Sequence, residues 1–178
     1  MSIIIETPRL ILRRSTMSDY TRIFEEQTSE EAMAYLGAAN EDELSLERSR
    51  YEKGLETYRT SFVYFHLIEK SSLEVIGDCC FHTWYTPHAR AEIGYGIKKE
   101  IDKNKGYMRE ALYPVLRYGF AEMGLHRVEA FVNPDNLPSQ KLLLGVGFKQ
   151  EGVLKEHYYK NGEHLDSIVL GLLRKNFL

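Results

Sequence analysis

Between Lys98 and Arg109 the chain reads Lys98-Lys99-Glu100-Ile101-Asp102-Lys103-Asn104-Lys105-Gly106-Tyr107-Met108-Arg109. Five cations stand there against two anions, in a chain whose formal net charge is -3. The stretch runs into the strongest helical pattern of the sequence. A helix start offers free N–H groups and the positive end of the helix dipole, which suits an anion. Gly106 lets the backbone approach a phosphate closely. The same residues also fit an exposed loop of solvated lysines, and one glycine among lysines does not choose between the two.

Just upstream, Glu92 alternates with Gly94 and Gly96, small residues that leave room for a substrate on the carboxylate's face. Asp78 and His82 share one face of the preceding strand with Cys80 and Trp84 and could join a proton path. A lone histidine is equally at home as a satisfied structural residue.

The elements that must position these groups follow from periodicity and turn chemistry. Ile3 to Arg13 reads as an opening strand. Ser18 fits the N-cap of a first helix carrying Tyr20, Ile23 and Phe24. A second helix is expected from Asn40, where Glu43 three residues on resembles a capping box. Leu44, Tyr51, Leu55 and Tyr58 fall on one side of it. Phe62 to Glu69, Val75 to Trp84 and Ala89 to Lys98 form an antiparallel meander with short connections. Met108, Ala111, Leu112, Val115, Leu116, Gly119, Phe120 and Met123 make the helical stripe, with Pro114 inside it and Gly124 expected to end it. Arg127 to Val132 is a strand, and Leu142, Leu143 and Val146 lie on a short helix. Phe148 to Glu156 and Leu165 to Leu173 flank an Asn161-Gly162 hairpin turn. The strand–helix–strand unit in the second half predicts a parallel pair with a right-handed crossover, within a mixed α/β sandwich.

The chain has 178 residues, 43% apolar and 28% charged. That composition fits one domain spanning 1–178 and excludes disordered, collagenous and disulfide-scaffold classes. The negative charge argues against direct nucleic-acid binding. Two adjacent cysteines, Cys79 and Cys80, cannot bridge without a strained ring, and with no other Cys no thiolate zinc site can form. The Ile3-Ile4-Ile5 run is too short for a membrane span, so a cytoplasmic protein is expected. From Glu25 to Glu56 ten carboxylates face Arg48, Arg50 and Lys53. This acidic tract would attract a cationic partner, or is simply a solvated helical surface.

Taken in order, Glu6-Thr7-Pro8-Arg9-Leu10, Ala91-Glu92-Ile93-Gly94-Tyr95, Lys103-x-x-Gly106-x-Met108, Gly124-Leu125-His126-Arg127-Val128-Glu129-Ala130 and Asn136-x-x-Ser139 with Gly147-Phe148 resemble the GNAT N-acetyltransferase superfamily, in its RimJ/RimL-like branch. The resemblance runs from residue 6 to about residue 173. The family's pyrophosphate motif is Gln/Arg-x-x-Gly-x-Gly/Ala, from which Lys103 and Met108 depart.

The resemblance implies a GNAT fold: a mostly antiparallel twisted sheet of about seven strands flanked by helices, with a parallel pair splayed at the centre. It implies an acetyl-CoA-dependent enzyme that moves an acetyl group to a primary amine by direct attack. The acceptor would be the N-terminal α-amine of a basic or ribosomal protein, or a small cationic amine. Acetyl-CoA would lie along Ile97, Lys98, Lys99, Lys103, Asn104, Lys105, Gly106, Tyr107, Met108 and Arg109, with Asn136 and Ser139 on the pantetheine arm. No metal is implied, and a homodimer is compatible with the family. Glu92 stands eleven positions before Lys103, the spacing of a catalytic base in the superfamily. It is read here as that base acting through a water, or as a surface carboxylate. Ser139 is read as hydrogen-bond donor to the leaving thiolate, or as a first-turn helix cap. Asn136 fits both a contact to the arm and an N-cap. Tyr158 stands where some relatives carry a catalytic glutamate; it could donate to the thiolate or line the acceptor pocket. The first helices and the C-terminal hairpin would form the acceptor groove. A different class, a non-catalytic acyl-CoA-binding module, is motivated by the altered pyrophosphate motif and the missing glutamate.

Overall fold

The computed structural model describes residues 3–52, 56–57 and 60–177. Leu55 and Tyr58 of the expected second-helix stripe lie outside them. The strands are β1 (Ile4–Glu6), β2 (Leu10–Ser15), β3 (Glu56–Thr57), β4 (Thr60–Glu69), β5 (Val75–Tyr85), β6 (Arg90–Ile97), β7 (Arg127–Val132), β8 (Lys149–Lys160) and β9 (Glu163–Leu173). The helices are α1 (Met17–Glu26), α2 (Ser29–Leu36), α3 (Glu41–Glu52), α4 (Tyr107–Ala121), α5 (Leu137–Gly145) and α6 (Arg174–Phe177). One nine-stranded sheet has the order β1-β2-β4-β5-β6-β7-β9-β8, with β3 paired to β4 off that path. The expected mixed sheet flanked by helices is present, with more strands than the sequence indicated.

Part of that difference lies at Pro8, which has no N–H for a ladder. The opening segment breaks there into a β1–β2 hairpin, closed by the Thr7 N–H donating to the Leu10 carbonyl at 3.0 Å and the Leu10 N–H donating to Thr7 Oγ1 at 3.0 Å. Thr16, not Ser18, caps α1: its Oγ1 accepts from the Asp19 N–H at 3.3 Å while Asp19 Oδ2 accepts from the Thr16 N–H at 2.8 Å. Helix α2 was not expected from the sequence. It buries only Ala32 and Leu36, too few for a stripe, and starts on a Thr28–Glu31 capping box. At Asn40–Glu43 one arm of the expected capping box forms, Asn40 Oδ1 accepting from the Glu43 N–H at 2.9 Å, while Glu43 Oε2 accepts from the Ala39 N–H at 3.0 Å.

Side chains alternate across the sheet, and the two faces carry different helices. On one face α4 lays Ala111, Leu112, Val115, Leu116 and Phe120, all at 0% exposure, over Phe65, Phe81, Val128 and Leu172. The helix runs on through Pro114, whose missing N–H leaves the Glu110 carbonyl without its helical donor. On the other face α1, α2 and α3 close over a separate cluster of Tyr20, Ile23, Phe24, Ala32, Leu36 and Leu44. Arg13 fastens that layer, stacking over the Tyr35 ring at 3.5 Å and donating to the Tyr35 carbonyl. Strand β8 ends the sheet and is exposed at every residue except Gly152. Its register with β9 shifts twice, between Gln150 and Gly152 and between Leu154 and Tyr158. Asn161 and Gly162 turn the hairpin with φ of 53° and 88°, as an Asn-Gly turn requires. Among the described residues no helix is long and apolar enough to cross a membrane, and no group of three or more His, Cys, Asp or Glu could hold a metal ion.

Gly119 faces the sheet with no room for a side chain. A Cβ there would stand 2.5 Å from Phe81 Cζ and 3.2 Å from Leu125 Cδ1, both on fully buried side chains. Gly119→Ala gains about 1 kcal/mol of helix propensity. Displacing a packed ring costs about 1–3 kcal/mol, so the clash should win. The expected outcome is a lower thermal midpoint; an unchanged or higher one would show that the ring yields freely.

Candidate active site

Strands β6 and β7 pair in parallel over Arg90–Arg127, Ala91–Val128 and Glu92–Glu129 only, then separate. On its other side β6 stays paired to β5 as far as Ile97. The Lys98 N–H donates back to the Ile76 carbonyl at 2.9 Å, so by alternation the N–H groups of Tyr95 and Ile97 face the gap. Helices α4 and α5 flank this opening.

Three cavities follow the opening. A small one of about 230 Å³ lies between the parted strands and is lined by Glu92, Gly94, Tyr95, Phe131, Asn136 and Ser139 among others. Tyr95, Asn136 and Ser139 are shared with a cleft of about 460 Å³ that runs toward the start of α4. His82, Glu92, Phe131 and Asn133 are shared with a larger cavity of about 830 Å³ beneath the β8–β9 hairpin. The small one thus shares lining with both of the others and has the smallest volume of the three.

The 460 Å³ cleft gathers Ile97, Lys103, Asn104, Gly106, Tyr107, Met108, Arg109, Asn136 and Ser139 from the sequence-derived set. Gly106 is the N-cap of α4 with φ +80°, a left-handed conformation that glycine adopts without strain. Met108 is 8% exposed and belongs to the main core, so its bulk packs inward from the helix start. Lys98, Lys99 and Lys105 do not line the cleft. Lys98 Nζ donates to the Leu36 carbonyl at 3.1 Å and to the Gly37 carbonyl, capping the C-terminus of α2. Lys99 pairs with Glu74 at 2.7 Å and Lys105 with Asp102 at 3.1 Å. Lys103 lines the cleft but pairs with Glu100. Arg109 is the exposed cation there with no ion-pair partner among the described residues.

Thr7 and Arg9, named from the sequence only as part of the opening motif, hold this loop through Glu110. The Arg9 N–H and Nε donate to Glu110 at 2.8 and 2.7 Å, and Thr7 Oγ1 donates to the same carboxylate at 2.5 Å. Arg9 Nη1 donates to the Lys105 carbonyl at 3.0 Å, and its guanidinium lies 4.5 Å over the Tyr107 ring. The β1–β2 turn is thus bolted to the loop that starts α4. Thr7 and Arg9 stand about a hundred residues from Glu110, and no sequence pattern links them.

At the fork, Glu92 lies on the last paired residue of β6, half-buried, with His82 Nδ1 3.6 Å from its carboxylate. Burial, and then the charge of Glu129, push the Glu92 carboxyl up to about 7. Burial pushes His82 down, so at neutral pH the imidazole is uncharged and the contact is not an ion pair. Glu129 is held by Arg90 at 2.7 Å and Arg127 at 2.8 Å, which fixes the negative charge beside Glu92. Asn136 caps α5, its Oδ1 accepting from the Ser139 N–H at 3.2 Å. The Ser139 hydroxyl instead meets the Tyr95 hydroxyl at 2.9 Å, across the opening. Of the two readings of Ser139, the cap therefore belongs to its neighbour. Tyr158, 57% exposed, lines the large cavity and neither the small one nor the cleft, so it stands on the side away from Ser139. The large cavity takes its described lining from strands β5 to β9 and the turns next to them, with no contribution from α1, α2 or α3.

A parallel pair that parts beside a glycine-started helix is the architecture of a CoA-dependent acyltransferase. The chain belongs to the GNAT acetyltransferases, whose acetyltransferase (GNAT) domain matches residues 9–149. It is 36% identical over 172 residues to the uncharacterized N-acetyltransferase YoaA of Bacillus subtilis (strain 168), across 96% of this chain and 97% of that one. It is 32% identical over 113 residues to the [Ribosomal protein uS5]-alanine N-acetyltransferase of Escherichia coli (strain K12), 63% of this chain and 58% of that one. The fold matches that of a spermidine N-acetyltransferase from Vibrio cholerae, solved in complex with CoA and spermine, at a TM-score of 0.69 and 22% identity over 96% of this chain and 99% of that one. The protein is an acetyl-CoA-dependent N-acetyltransferase.

The raised Glu92 pKa has a consequence for stability. Between the ordinary carboxylate value of 4.5 and about 7 the folded chain binds more protons at this site than the unfolded one, so folding weakens as pH rises through that window. Glu92→Gln removes the charge. Its thermal midpoint should match wild type near pH 4.5 and exceed it at pH 8. Equal midpoints at both pH values would mean that Glu92 titrates as an ordinary surface carboxylate.

Proposed function

We propose that this protein acetylates the α-amine at the N-terminus of a basic protein. The observation that carries this reading is Glu92, at the mouth of the large cavity, with its carboxyl pushed up to about 7. An α-ammonium has a pKa of about 7.7–8 and a lysine ammonium about 10.4. A base near 7 is well matched to the first and more than three units too weak for the second.

The charges in the large cavity support the same choice over a polyamine. A polycation needs several unanswered carboxylates. Here Glu129 is taken by Arg90 and Arg127, Asp166 by Lys155 at 2.6 Å, and Glu92 is half protonated at neutral pH. The acidic helices α1 to α3 stand outside the cavity, where they attract the basic body of a protein rather than the amine itself.

Acetyl-CoA would lie in the 460 Å³ cleft, with its pyrophosphate on the free N–H groups of the α4 start near Gly106 and Arg109 beside it. The pantetheine arm would pair as an added strand with the gap-facing groups of Tyr95 and Ile97. Asn136 then serves as helix cap, and Lys98, Lys99 and Lys105 act through their own structural partners rather than as phosphate ligands. The thioester carbon would sit in the small cavity between Glu92 and Ser139. Glu92, through a water, takes one proton from the ammonium; the nitrogen attacks the carbonyl carbon; a gap-facing N–H of β6 meets the oxyanion; the C–S bond breaks, the thiolate leaves beside Ser139, and the nitrogen gives up its second proton to solvent water. Tyr158 lines the acceptor side. A carboxylate and a hydroxyl brought to the two ends of one narrow cavity favour a working enzyme over a silent binding module.

The test is a panel of amines read by thiol release: peptides with free N-termini, the same peptides α-blocked with a free lysine, and spermidine. Free N-termini should be turned over best, with kcat/KM rising as pH passes about 7. Glu92→Gln should lower kcat roughly a hundredfold with acetyl-CoA affinity unchanged. Preference for spermidine or for α-blocked peptides would overturn the acceptor assignment, and full activity of Glu92→Gln would overturn the base.

A further inference from the structure

The Tyr95–Ser139 contact is a cross-brace between two elements that otherwise part. Tyr95 belongs to β6, beyond the last residue that pairs with β7; Ser139 belongs to the first turn of α5. Both line the small cavity and the cofactor cleft, so their hydroxyls sit at the junction of the two. The Tyr95 ring packs against the main core, which fixes where its hydroxyl points. The Ser139 N–H is occupied by the Asn136 cap at 3.2 Å, and its hydroxyl takes no part in the cap.

Two hydroxyls 2.9 Å apart hold two protons, and the bond between them uses one. The geometry admits either hydroxyl as donor, and the phenol, the stronger acid of the two, is the favoured one. The serine proton is then left to point elsewhere, and the open direction is the junction. We infer that Tyr95 is a positioning residue for acetyl transfer: by donating to Ser139 Oγ it aims the serine O–H at the sulfur of the departing thiolate. This rests on the reading above that the thioester sulfur lies beside Ser139.

Electrons and protons balance without a charged tyrosine. As the C–S bond breaks, its electron pair stays on sulfur, and the serine O–H donates a hydrogen bond to the growing charge. Both protons of the brace remain where they were. The thiolate acquires its proton from water on release. Burial pushes the Tyr95 phenol up to about 12, well above the value of about 8.5 for a thiol, which keeps the brace protonated throughout. Tyr95 thus acts through Ser139 and does not itself touch the sulfur.

The test is a double-mutant cycle on kcat and KM with Tyr95→Phe, Ser139→Ala and the pair together. Tyr95→Phe keeps the ring in the core, and calorimetric CoA binding confirms that each variant is folded with its cleft intact. A single hydrogen bond at this point is worth about three- to tenfold in kcat. Each single variant should lose about that factor with KM for acetyl-CoA nearly unchanged, and the double variant should be no slower than Ser139→Ala alone. Wild-type kcat in Tyr95→Phe, or losses that multiply in the double variant, would overturn the inference while leaving Ser139 in its role. Wild-type kcat in Ser139→Ala would instead sink the placement of the leaving group, and the inference with it. A merely structural Tyr95 would lower the thermal midpoint and leave kcat per folded molecule untouched.

Discussion

A backbone N–H or C=O that leaves a ladder must find another partner, and β6 and β7 release theirs after Glu92 and Glu129. Much of the active end of the molecule can be traced to that release. The freed edge of β6 is a short row of donors and acceptors with no strand beside it, ready for a ligand that is itself amide-rich. The strands are held apart rather than merely unpaired. Helices α4 and α5 flank the opening, and the Tyr95–Ser139 bridge spans it. The opening also sets the electrostatics. Glu92 stands at the last pair, half out of water, with Glu129 directly across from it in register. That neighbour cannot move off, because two arginines hold it. The carboxyl at the fork is pushed up because its surroundings leave it little solvent, a second carboxylate beside it and, among the described residues, no cation of its own.

Most lysines of the basic loop are consumed by the fold. Lys98 reaches the opposite face to finish α2, and Lys99, Lys103 and Lys105 each meet a carboxylate. Exposed pairs of this kind contribute little to stability, on the order of 1 kcal/mol or less, so a bound polyanion can compete for them. The shape of the loop rests on the Arg9–Glu110 contacts instead, which join it to the first hairpin at the far end of the sequence. The proposed anion site would therefore be built mainly from backbone and geometry, with side-chain charge in a secondary place.

Where a local pattern decides the structure, the sequence was a good guide. The stripe from Met108 to Phe120 is α4, Asn161-Gly162 is the β8–β9 turn, and the crossover through α4 makes β6 and β7 parallel. Helix α2 escaped notice because a two-residue stripe carries no period; only its capping box marks it. The strand count was low by two: Pro8 breaks what periodicity reads as one strand, and β3 lies where the second helix was expected. Many of the residues that line the candidate site were named from the sequence, but their contacts were less legible. Lysine spacing suggested phosphate contacts for Lys98 and Lys99, yet which carboxylate or carbonyl a long side chain reaches is a tertiary fact. Ser139 had two local readings that could not be separated without knowing that Asn136 takes the cap. Tyr95 entered only as the last residue of the Ala91–Tyr95 match, with no hint of its partner, because what matters about it is a hydroxyl 44 positions away in the chain.

The outermost strand poses a different problem. A twelve-residue strand with one bare flank is a template on which identical strands could add without limit, and β8 also shows Val153, Leu154, Tyr158 and Tyr159 to solvent. Its two register shifts, together with the positive φ of 51° at Glu156, break the flat ribbon that such growth requires. Five charged residues along it, Lys149, Glu151, Lys155, Glu156 and Lys160, add a penalty for any copy laid alongside in register. Straightening this strand, for example by deleting a residue between Leu154 and Tyr158, would remove the irregularity and turn a soluble margin into a nucleus for aggregation.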